Sequence, residues 1–334
     1  MISHPDVIII GGGPAGLATA ATLQEGGLRV RVYEQGALAD SIRRWPYYLR
    51  FFSTAANVEL ADVPLIVTDD KPTREEYLNY LRRFVRAKRL DVRTRHRVAT
   101  AARAPGDADG PFTVAGTDAA GDPFTDHARW VVVATGAFDF ARPLGVPGED
   151  LPKVTHYFTE VHPYADSRVA VVGGGTSAVE TALLLWRAGA EVTMVVRAGA
   201  FRGLKYWQEP DIRNRIANGE IRALMDARVV EIRPRELVVE QEGRTLRLPN
   251  DFVLAMTGYQ PDVALLGGMG VAMDAGTKRP VHNPETLETN VPGLYVAGVV
   301  IAGNVGGEIF IENARAHGEV ILRALKRAPI LNSE

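Results

Sequence analysis

Two short glycine-rich segments carry the clearest chemical signal in this sequence. Residues 11–16 read GGGPAG and residues 173–178 read GGGTSA, and each segment lies between an apolar run and a stretch with helical spacing. In such a unit the first glycine allows a tight turn, the second lets the backbone approach a pyrophosphate, and the third lets helix and strand pack closely. Free N–H groups at the helix N-terminus bind phosphate oxygens. Each segment therefore predicts a dinucleotide site.

The residue at the end of the next strand distinguishes the two ligands. After the first loop it is Glu34, whose carboxylate accepts hydrogen bonds from an adenosine ribose and repels a 2′-phosphate. After the second loop it is Val196, followed by Arg197 and then Arg202. Guanidinium groups pair with phosphate through two parallel hydrogen bonds. We therefore predict FAD at the first site and NADPH at the second, although two arginines in this arginine-rich chain also fit a solvated surface pair.

The predicted cofactor-binding set extends along both units. On the FAD side it comprises Gly11, Gly13, Pro14, Ala15, Gly16, Glu34, Gln35, Phe52, Val98, Thr135, Gly136, Gly298 and Ile309. On the nicotinamide side it comprises Gly173, Gly175, Thr176, Ser177, Ala178, Arg197, Arg202, Thr257 and Gly258. No catalytic residue and no metal ligand is predicted, and the lack of cysteine excludes disulfides and thiolate metal sites.

The elements that position these residues occur twice. Residues 11–35 align with residues 173–197 without a gap, and each copy leads to an apolar strand that ends in Thr-Gly, at residues 130–136 and 252–258. The second copy is followed by a strand at residues 294–297 and a long helix from about residue 307 to 326. We therefore predict an α/β fold with two Rossmann-like domains. The NADPH-binding domain (141–258) is inserted into the FAD-binding domain (1–140 and 259–334).

Composition limits the classes of function. Of the 334 residues, 46% are hydrophobic and 23% are charged, which is typical of globular domains. The net charge of −2 gives no basic field for nucleic acid or anionic membranes. No apolar run approaches the ~18 residues of a membrane-spanning helix, and the first residues do not read as a signal peptide. We expect a cytoplasmic protein without nucleic-acid or membrane partners.

The two-domain plan and two segments resemble thioredoxin-reductase-like flavoproteins. These segments are residues 173–180 (GGGTSAVE) and 195–202 (VVRAGAFR). The resemblance implies that Arg197 and Arg202 match two arginines that hold the NADPH 2′-phosphate, while a third is replaced by Ala198. The positions of the superfamily's redox CxxC are His156 and Thr159 here, so no enzyme dithiol can relay electrons.

Longer segments resemble the YpdA family of bacillithiol-disulfide or bacilliredoxin reductases, over essentially the whole chain. They are residues 145–158, 162–164, 250–262, 288–300 and 307–318. The resemblance implies a homo-oligomer, dimer or tetramer, that passes electrons from NADPH through FAD to a small-molecule disulfide or a small redox protein. Members typically carry a cysteine where this chain has Ala15, so a route through that thiol is excluded here. Gly298-Val299 replaces the Gly-Asp pair of many relatives, as in YpdA proteins.

Several interpretations stay open. His156 and His317 could donate protons, but a structural role is favoured for single histidines without evident partners. Arg43, Arg44 and Arg50, around the WPYY segment, fit an anionic-substrate patch and a solvated rim equally. The alternatives for function are a ferredoxin or flavodoxin NADP reductase of the thioredoxin-reductase type and a non-catalytic nicotinamide-sensing flavoprotein. A flavin monooxygenase is disfavoured because its FxGxxxHxxx(W/Y) signature is absent from the sequence.

Overall fold

The computed structural model describes residues 4–104, 106–107 and 110–327. The chain divides into two compact units. Unit 1 takes its described residues from Met1–Arg44, Tyr48–Phe140 and Tyr259–Glu334, and unit 2 from Trp45–Tyr47 and Ala141–Gly258. The short segment Trp45–Tyr47 groups with unit 2, which the sequence pattern did not predict.

Strands and helices are numbered here in chain order. The strands are β1 Val7–Ile10, β2 Val30–Glu34, β3 Asp91–Thr94, β4 Arg97–Ala102, β5 Phe112–Thr117, β6 Pro123–Ala128, β7 Trp130–Val133, β8 Phe140–Ala141, β9 Val154–Thr155, β10 Arg168–Val172, β11 Glu191–Val195, β12 Arg222–Leu224, β13 Ala227–Arg233, β14 Glu236–Gln241, β15 Arg244–Pro249, β16 Phe252–Ala255, β17 Tyr259–Gln260 and β18 Leu294–Val296. The helices are α1 Pro14–Glu25, α2 Asp40–Arg43, α3 Ala55–Val58, α4 Arg74–Ala87, α5 Thr176–Arg187, α6 Gln208–Ala217, α7 Val263–Gly268, α8 Ile311–Ala314 and α9 His317–Arg327. There are also two 3-10 helices, His162–Tyr164 and Gly298–Ala302.

Unit 1 is built on a parallel sheet with the strand order β18-β7-β1-β2-β3. Its central strands β1 and β7 are almost wholly apolar and inaccessible to solvent, as expected for strands covered on both faces. Helix α1 follows β1 directly, and α9 packs against α1. A separate antiparallel sheet of β4, β5 and β6 lies in the same unit.

Unit 2 repeats this plan. Its parallel sheet has the order β12-β11-β10-β16-β9, with the buried Val171, Met194 and Leu254 in the core on one face. Helix α5 follows β10 as α1 follows β1. The antiparallel sheet β13-β14-β15 packs its apolar residues with those of the other face. Two parallel sheets with following helices confirm the predicted α/β fold with two Rossmann-like units.

The predicted long helix at residues 307–326 is wrong. Residues 303–310 are not helical, and the helical part is divided into α8 and α9. Gly307 has φ +88°, a left-handed conformation that cannot continue a right-handed helix. The break before α9 also lets Gly318 lie against α1, where a Cβ atom would be 2.9 Å from the Thr19 Cα. In the part of the chain described, no helix has the length and apolar character needed to span a bilayer.

Candidate functional site

The first glycine loop closes against the carboxyl end of β7. Gly11 has φ +116°, and a Cβ there would overlap the carbonyl oxygen of Ala134. A Cβ on Gly16 would overlap the oxygen of Gly11, so the turn and the helix start require glycine. By contrast, no described atom lies within 4 Å of a Cβ built on Gly13 or Gly136. The loop therefore leaves open space above the N-terminus of α1, where backbone N–H groups can receive phosphate oxygens.

The second glycine loop has the same geometry. Gly173 has φ +142°, and a Cβ there would overlap the oxygen of Met256, the counterpart of Ala134. Among the described atoms none lies within 4 Å of a Cβ built on Gly175. Helix α5 begins at Thr176, and Ser177 in the same turn is exposed. The internal repeat seen in the sequence thus extends to the packing of individual glycines.

Glu34 is held beside the first loop by the backbone. Its side chain is buried, with Oε2 accepting the Gly12 N–H at 2.8 Å and Oε1 accepting the Gly36 N–H at 2.8 Å. Burial raises the pKa of the Glu34 carboxyl, and the hydrogen bonds from Gly36 and Gly12 oppose that effect only in part. Each carboxylate oxygen can accept a further hydrogen bond. The residue therefore fits the predicted role of ribose acceptor.

The Thr-Gly pairs that end the two copies differ in one hydrogen bond. In the second copy, the Thr257 hydroxyl donates to the Arg142 carbonyl at 2.5 Å. In the first copy, the Thr135 hydroxyl oxygen is buried and has no hydrogen-bond partner among the described residues. A buried hydroxyl without a partner is costly. Because Thr135 precedes the open space at Gly136, this orphaned group fits a polar ligand in unit 1.

Arg197 and Arg202 are exposed near the second loop. Neither guanidinium has a hydrogen-bond or ion-pair partner within the described residues. The backbone N–H of Arg202 donates to the Gly174 oxygen at 3.0 Å, which places this residue directly beside the glycine loop. Two arginines without neutralising carboxylates favour an anionic ligand over a solvated salt-bridged surface.

Ala15 and Gly298 are brought together in unit 1. A Cβ on Gly298 would lie 2.6 Å from the Ala15 Cβ, so the two backbones approach closely. The Gly298 N–H donates to Nδ1 of His317 at 3.0 Å, a contact that the sequence did not indicate. Burial, and then the charge of His282, lower the pKa of His317. His317 therefore serves here as a neutral acceptor with a structural role.

The remaining predicted FAD contacts have mixed environments. Gln35 is exposed and donates to Asp139 at 2.7 Å, and Phe52 is 42% exposed. Ile309 is half-buried in the non-helical segment before α8. Val98 is buried in the core of unit 1, so only its backbone could reach a ligand.

The contacts of His156 bear on an interpretation that the sequence left open. His156 Nε2 lies 3.1 Å from Glu149 Oε1, and Glu149 also accepts the N–H groups of Leu144 and Gly145 at 2.7 Å each. His156 is thus part of a polar cluster within unit 2, which favours the structural interpretation.

The arginines near the WPYY segment are already paired. Arg43 and Arg44 both bind Asp40, Arg44 also binds Asp139, and Arg50 binds Asp69. Since carboxylates neutralise these three guanidinium groups, the patch fits a structured rim better than a receptor for an anionic substrate.

Sequence reasoning also missed Gln208. Its side chain is only 2% exposed and donates to Glu180 in α5. Glutamine is common on protein surfaces, so its position at the start of a polar helix carried no signal of burial.

The family model, the related sequences and the solved structures that match this chain all point to the same class of reductase. The family model for pyridine nucleotide-disulphide oxidoreductases matches residues 8–298. The bacilliredoxin reductase Bdr of Bacillus subtilis is 41% identical over 313 residues, 93% of this chain and 94% of that protein. The solved bacillithiol disulfide reductase Bdr (YpdA) from Bacillus cereus has a TM-score of 0.93 at 40% identity and covers 97% of this chain and 99% of its own. The solved bacillithiol disulfide reductase Bdr (YpdA) from Staphylococcus aureus has a TM-score of 0.89 at 36% identity and covers 96% of this chain and 97% of its own.

These relatives confirm the predicted resemblance to the YpdA family and the prediction of an oxidoreductase with a thioredoxin-reductase-like fold. FAD and NADPH, the two predicted cofactors, are those of such reductases. With the family model matching most of its length, the chain belongs to the pyridine nucleotide-disulphide oxidoreductases.

Proposed function

We propose that this protein is an NADPH-dependent flavoprotein reductase acting on bacillithiol disulfide or an oxidised bacilliredoxin. The names of its full-length relatives support the substrate class. The observation that carries the cofactor assignment is the pair of matching glycine loops with contrasting strand ends. One is followed by the buried carboxylate of Glu34, the other by Arg197 and Arg202, which have no carboxylate partner among the described residues.

The residues that would hold each cofactor follow from the contacts above. FAD would lie over residues 11–16, with Glu34 toward the ribose and the Thr135 hydroxyl as a further polar contact. NADPH would lie over residues 173–178, with Arg197 and Arg202 toward the 2′-phosphate. When bound, FAD supplies the transfer of a hydride equivalent from NADPH to the acceptor.

The chain's own residues limit the route to the acceptor. Overall, NADPH, a disulfide RSSR and one proton give NADP⁺ and two thiols, so the S–S bond breaks as the nicotinamide is oxidised. The sequence contains no cysteine, so a mixed disulfide between enzyme and substrate cannot form. The acceptor must therefore be bound next to the flavin by non-covalent contacts.

We also propose a cytoplasmic location and a homo-oligomer, dimer or tetramer, as the YpdA resemblance implies. Light scattering on the purified protein, coupled to size-exclusion chromatography, measures the oligomeric state directly. A monomer at micromolar concentration would contradict this part of the proposal.

The acceptor is tested by NADPH oxidation with four acceptors side by side. These are bacillithiol disulfide, oxidised bacilliredoxin, ferredoxin and oxygen. We expect turnover with one of the first two well above the rate with oxygen. Rapid reduction of ferredoxin without disulfide reduction would instead support a ferredoxin NADP reductase. Reduction of the bound flavin by NADPH without turnover of any acceptor would support a nicotinamide sensor.

A further inference from the structure

The two arginines predicted to face the NADPH 2′-phosphate lie on a segment with no regular structure of its own. This segment, residues 197–207, is called the arginine loop here; it lies between β11 and α6 and ends at the residue before Gln208. It carries Arg197 and Arg202, both exposed. An irregular loop does not fix a guanidinium group unless other contacts hold its backbone.

Two hydrogen bonds tie the middle of the arginine loop to the glycine loop and α5. The Arg202 N–H donates to the Gly174 oxygen at 3.0 Å, and the Thr176 hydroxyl donates to the Gly203 oxygen at 2.8 Å. Phe201 packs with the core of unit 2 and lies near Gly174. These contacts bring the middle of the loop close to the helix N-terminus, but they do not hold the part of the loop after Gly203.

Gln208 ties down the far end of the same loop. Its Nε2 donates to Glu180 Oε2 and to the Thr176 oxygen at 3.4 Å, and its Oε1 accepts the Lys205 N–H at 3.3 Å. Both amide hydrogens and the amide oxygen are therefore used. Thr176 and Glu180 lie one turn apart on α5, so the side chain joins the arginine loop to the first turns of that helix.

We propose that Gln208 is a positioning residue for NADPH specificity. It is only 2% exposed, so it acts through the arginine loop and does not touch the dinucleotide. By holding the loop on α5, it keeps the Arg202 guanidinium in place for the 2′-phosphate before the ligand arrives. The inference rests on the proposed NADPH site and adds a residue that sets its selectivity.

Loss of the Gln208 anchor should affect the binding of NADPH and not that of NADH. Without the anchor, the loop must be ordered when the 2′-phosphate binds, and the cost of that ordering weakens binding. NADH lacks this phosphate and gains nothing from Arg202. Loss of the anchor should therefore weaken NADPH binding and leave NADH binding nearly unchanged.

The first test is steady-state kinetics of Gln208→Leu, which keeps the side-chain volume and removes the hydrogen bonds. We expect the KM for NADPH to rise about tenfold, the loss expected when one charged contact to the phosphate is weakened. The kcat with NADPH and both constants with NADH should stay within about twofold. A merely structural role would change both coenzymes together.

Two further variants separate positioning from stability. Glu180→Gln replaces the carboxylate with an amide whose oxygen can still accept the hydrogen bond from Gln208. This variant should keep the low KM for NADPH. The double variant Glu180→Leu with Gln208→Leu replaces both buried partners with apolar groups, so stability should recover toward wild type. Its KM for NADPH should stay high because the anchor is still missing.

The outcomes of these experiments distinguish a failure of the Gln208 inference from a failure of the proposed NADPH site on which it rests. A wild-type enzyme without preference for NADPH would overturn the proposed NADPH site, and this inference with it. A wild-type preference that is lost in Arg202→Ala but survives in Gln208→Leu would overturn the inference alone. Recovery of a low KM in the double variant would overturn it as well, because loop anchoring would then be unnecessary.

Discussion

Glu34 and Val196 occupy corresponding positions in the two copies, and the side chains there have different electrostatic consequences. A buried carboxylate lies beside the first loop, and we propose that it accepts ribose hydroxyl groups and disfavours a 2′-phosphate. In the second copy an apolar side chain takes that place, and two arginines follow it. We therefore propose that coenzyme choice at each site depends on a few residues at the end of one strand.

The first prediction concerns Arg197 and Arg202. Replacing either by alanine should raise the KM for NADPH roughly tenfold or more, since a hydrogen bond to a charged group contributes about 1.5–3 kcal/mol. NADH kinetics serve as the internal control and should barely change. Equal effects of the substitution on both coenzymes would show that these arginines do not bind the 2′-phosphate.

The second prediction concerns His317 and pH. Its pKa in the folded protein lies below the ordinary value, because burial and His282 disfavour the charged imidazole. At pH values between the folded and the unfolded pKa, His317 is therefore protonated more often in the unfolded chain than in the folded protein. The contribution of His317 to the free energy of unfolding is therefore fully present above the pKa of the unfolded chain, about 6.5. This contribution is lost as the pH falls from there toward the lower pKa of the folded protein.

The matched variant for that prediction is His317→Asn. The asparagine oxygen can accept the Gly298 N–H as Nδ1 does, but it does not titrate. Urea unfolding at pH 5.5 and 7.5 should show a smaller pH-dependent change in the free energy of unfolding for the variant. If wild type and variant lose the same stability on acidification, His317 does not supply this pH dependence.

At the scale of elements, the close contact between α1 and α9 supports the first glycine loop. Helix α1 begins at the loop, and α9 lies against it where Gly318 has no side chain. A Cβ at this position would meet the Thr19 Cα at 2.9 Å and the Thr22 Cβ at 3.0 Å, and the backbone atom cannot rotate away. The division of the predicted long helix into α8 and α9 is part of this arrangement.

The third prediction is that Gly318→Ala lowers the free energy of unfolding by about 1–3 kcal/mol, the usual cost of overpacking. Gly26→Ala is the matched control, because the nearest contact of its Cβ would be the Leu322 side chain of α9 at 2.5 Å, with the Leu23 backbone oxygen farther away at 3.2 Å. That side chain can move, so the control should cost less. Chemical denaturation of both variants gives the comparison, and a Gly318→Ala protein as stable as wild type would refute the packing argument.

At the scale of the whole molecule, the absence of cysteine sets the chemistry apart from thiol-based reductases. The chain lacks cysteine, and Ala15, where the YpdA resemblance implies a cysteine, lies beside Gly298. Reactions that need an enzyme thiolate are therefore unavailable, whatever the disulfide acceptor.

The fourth prediction follows from that absence. Enzyme treated with iodoacetamide, and then freed of the reagent, should reduce its disulfide acceptor at the untreated rate. Ala15→Cys should make this activity sensitive to the reagent, and should raise disulfide reduction if that thiol is the missing nucleophile. Ala15→Ser, of similar size without a thiol, should stay insensitive. Inactivation of the wild-type enzyme by alkylation would contradict the proposed thiol-free route.

The sequence by itself determined the features that depend on local order along the chain. Both glycine loops, the apolar strands before them and the α/β class are encoded within short windows, since turn geometry and strand periodicity need few residues. The contrast between Glu34 and its counterpart Val196, which Arg197 follows, was likewise readable, because it compares corresponding positions in a repeat. The assignment of individual residues to the cofactors stays a prediction.

Only the tertiary structure decided which side chains meet across long separations in the chain. It paired Arg43, Arg44 and Arg50 with carboxylates and His156 with Glu149, and it buried Gln208 against Glu180. It also removed the start of the predicted helix, because Gly307 adopts a left-handed conformation, and it divided the rest into α8 and α9, where Gly318 lies against α1. Such outcomes depend on distances between segments remote in sequence, which composition, periodicity and spacing do not encode.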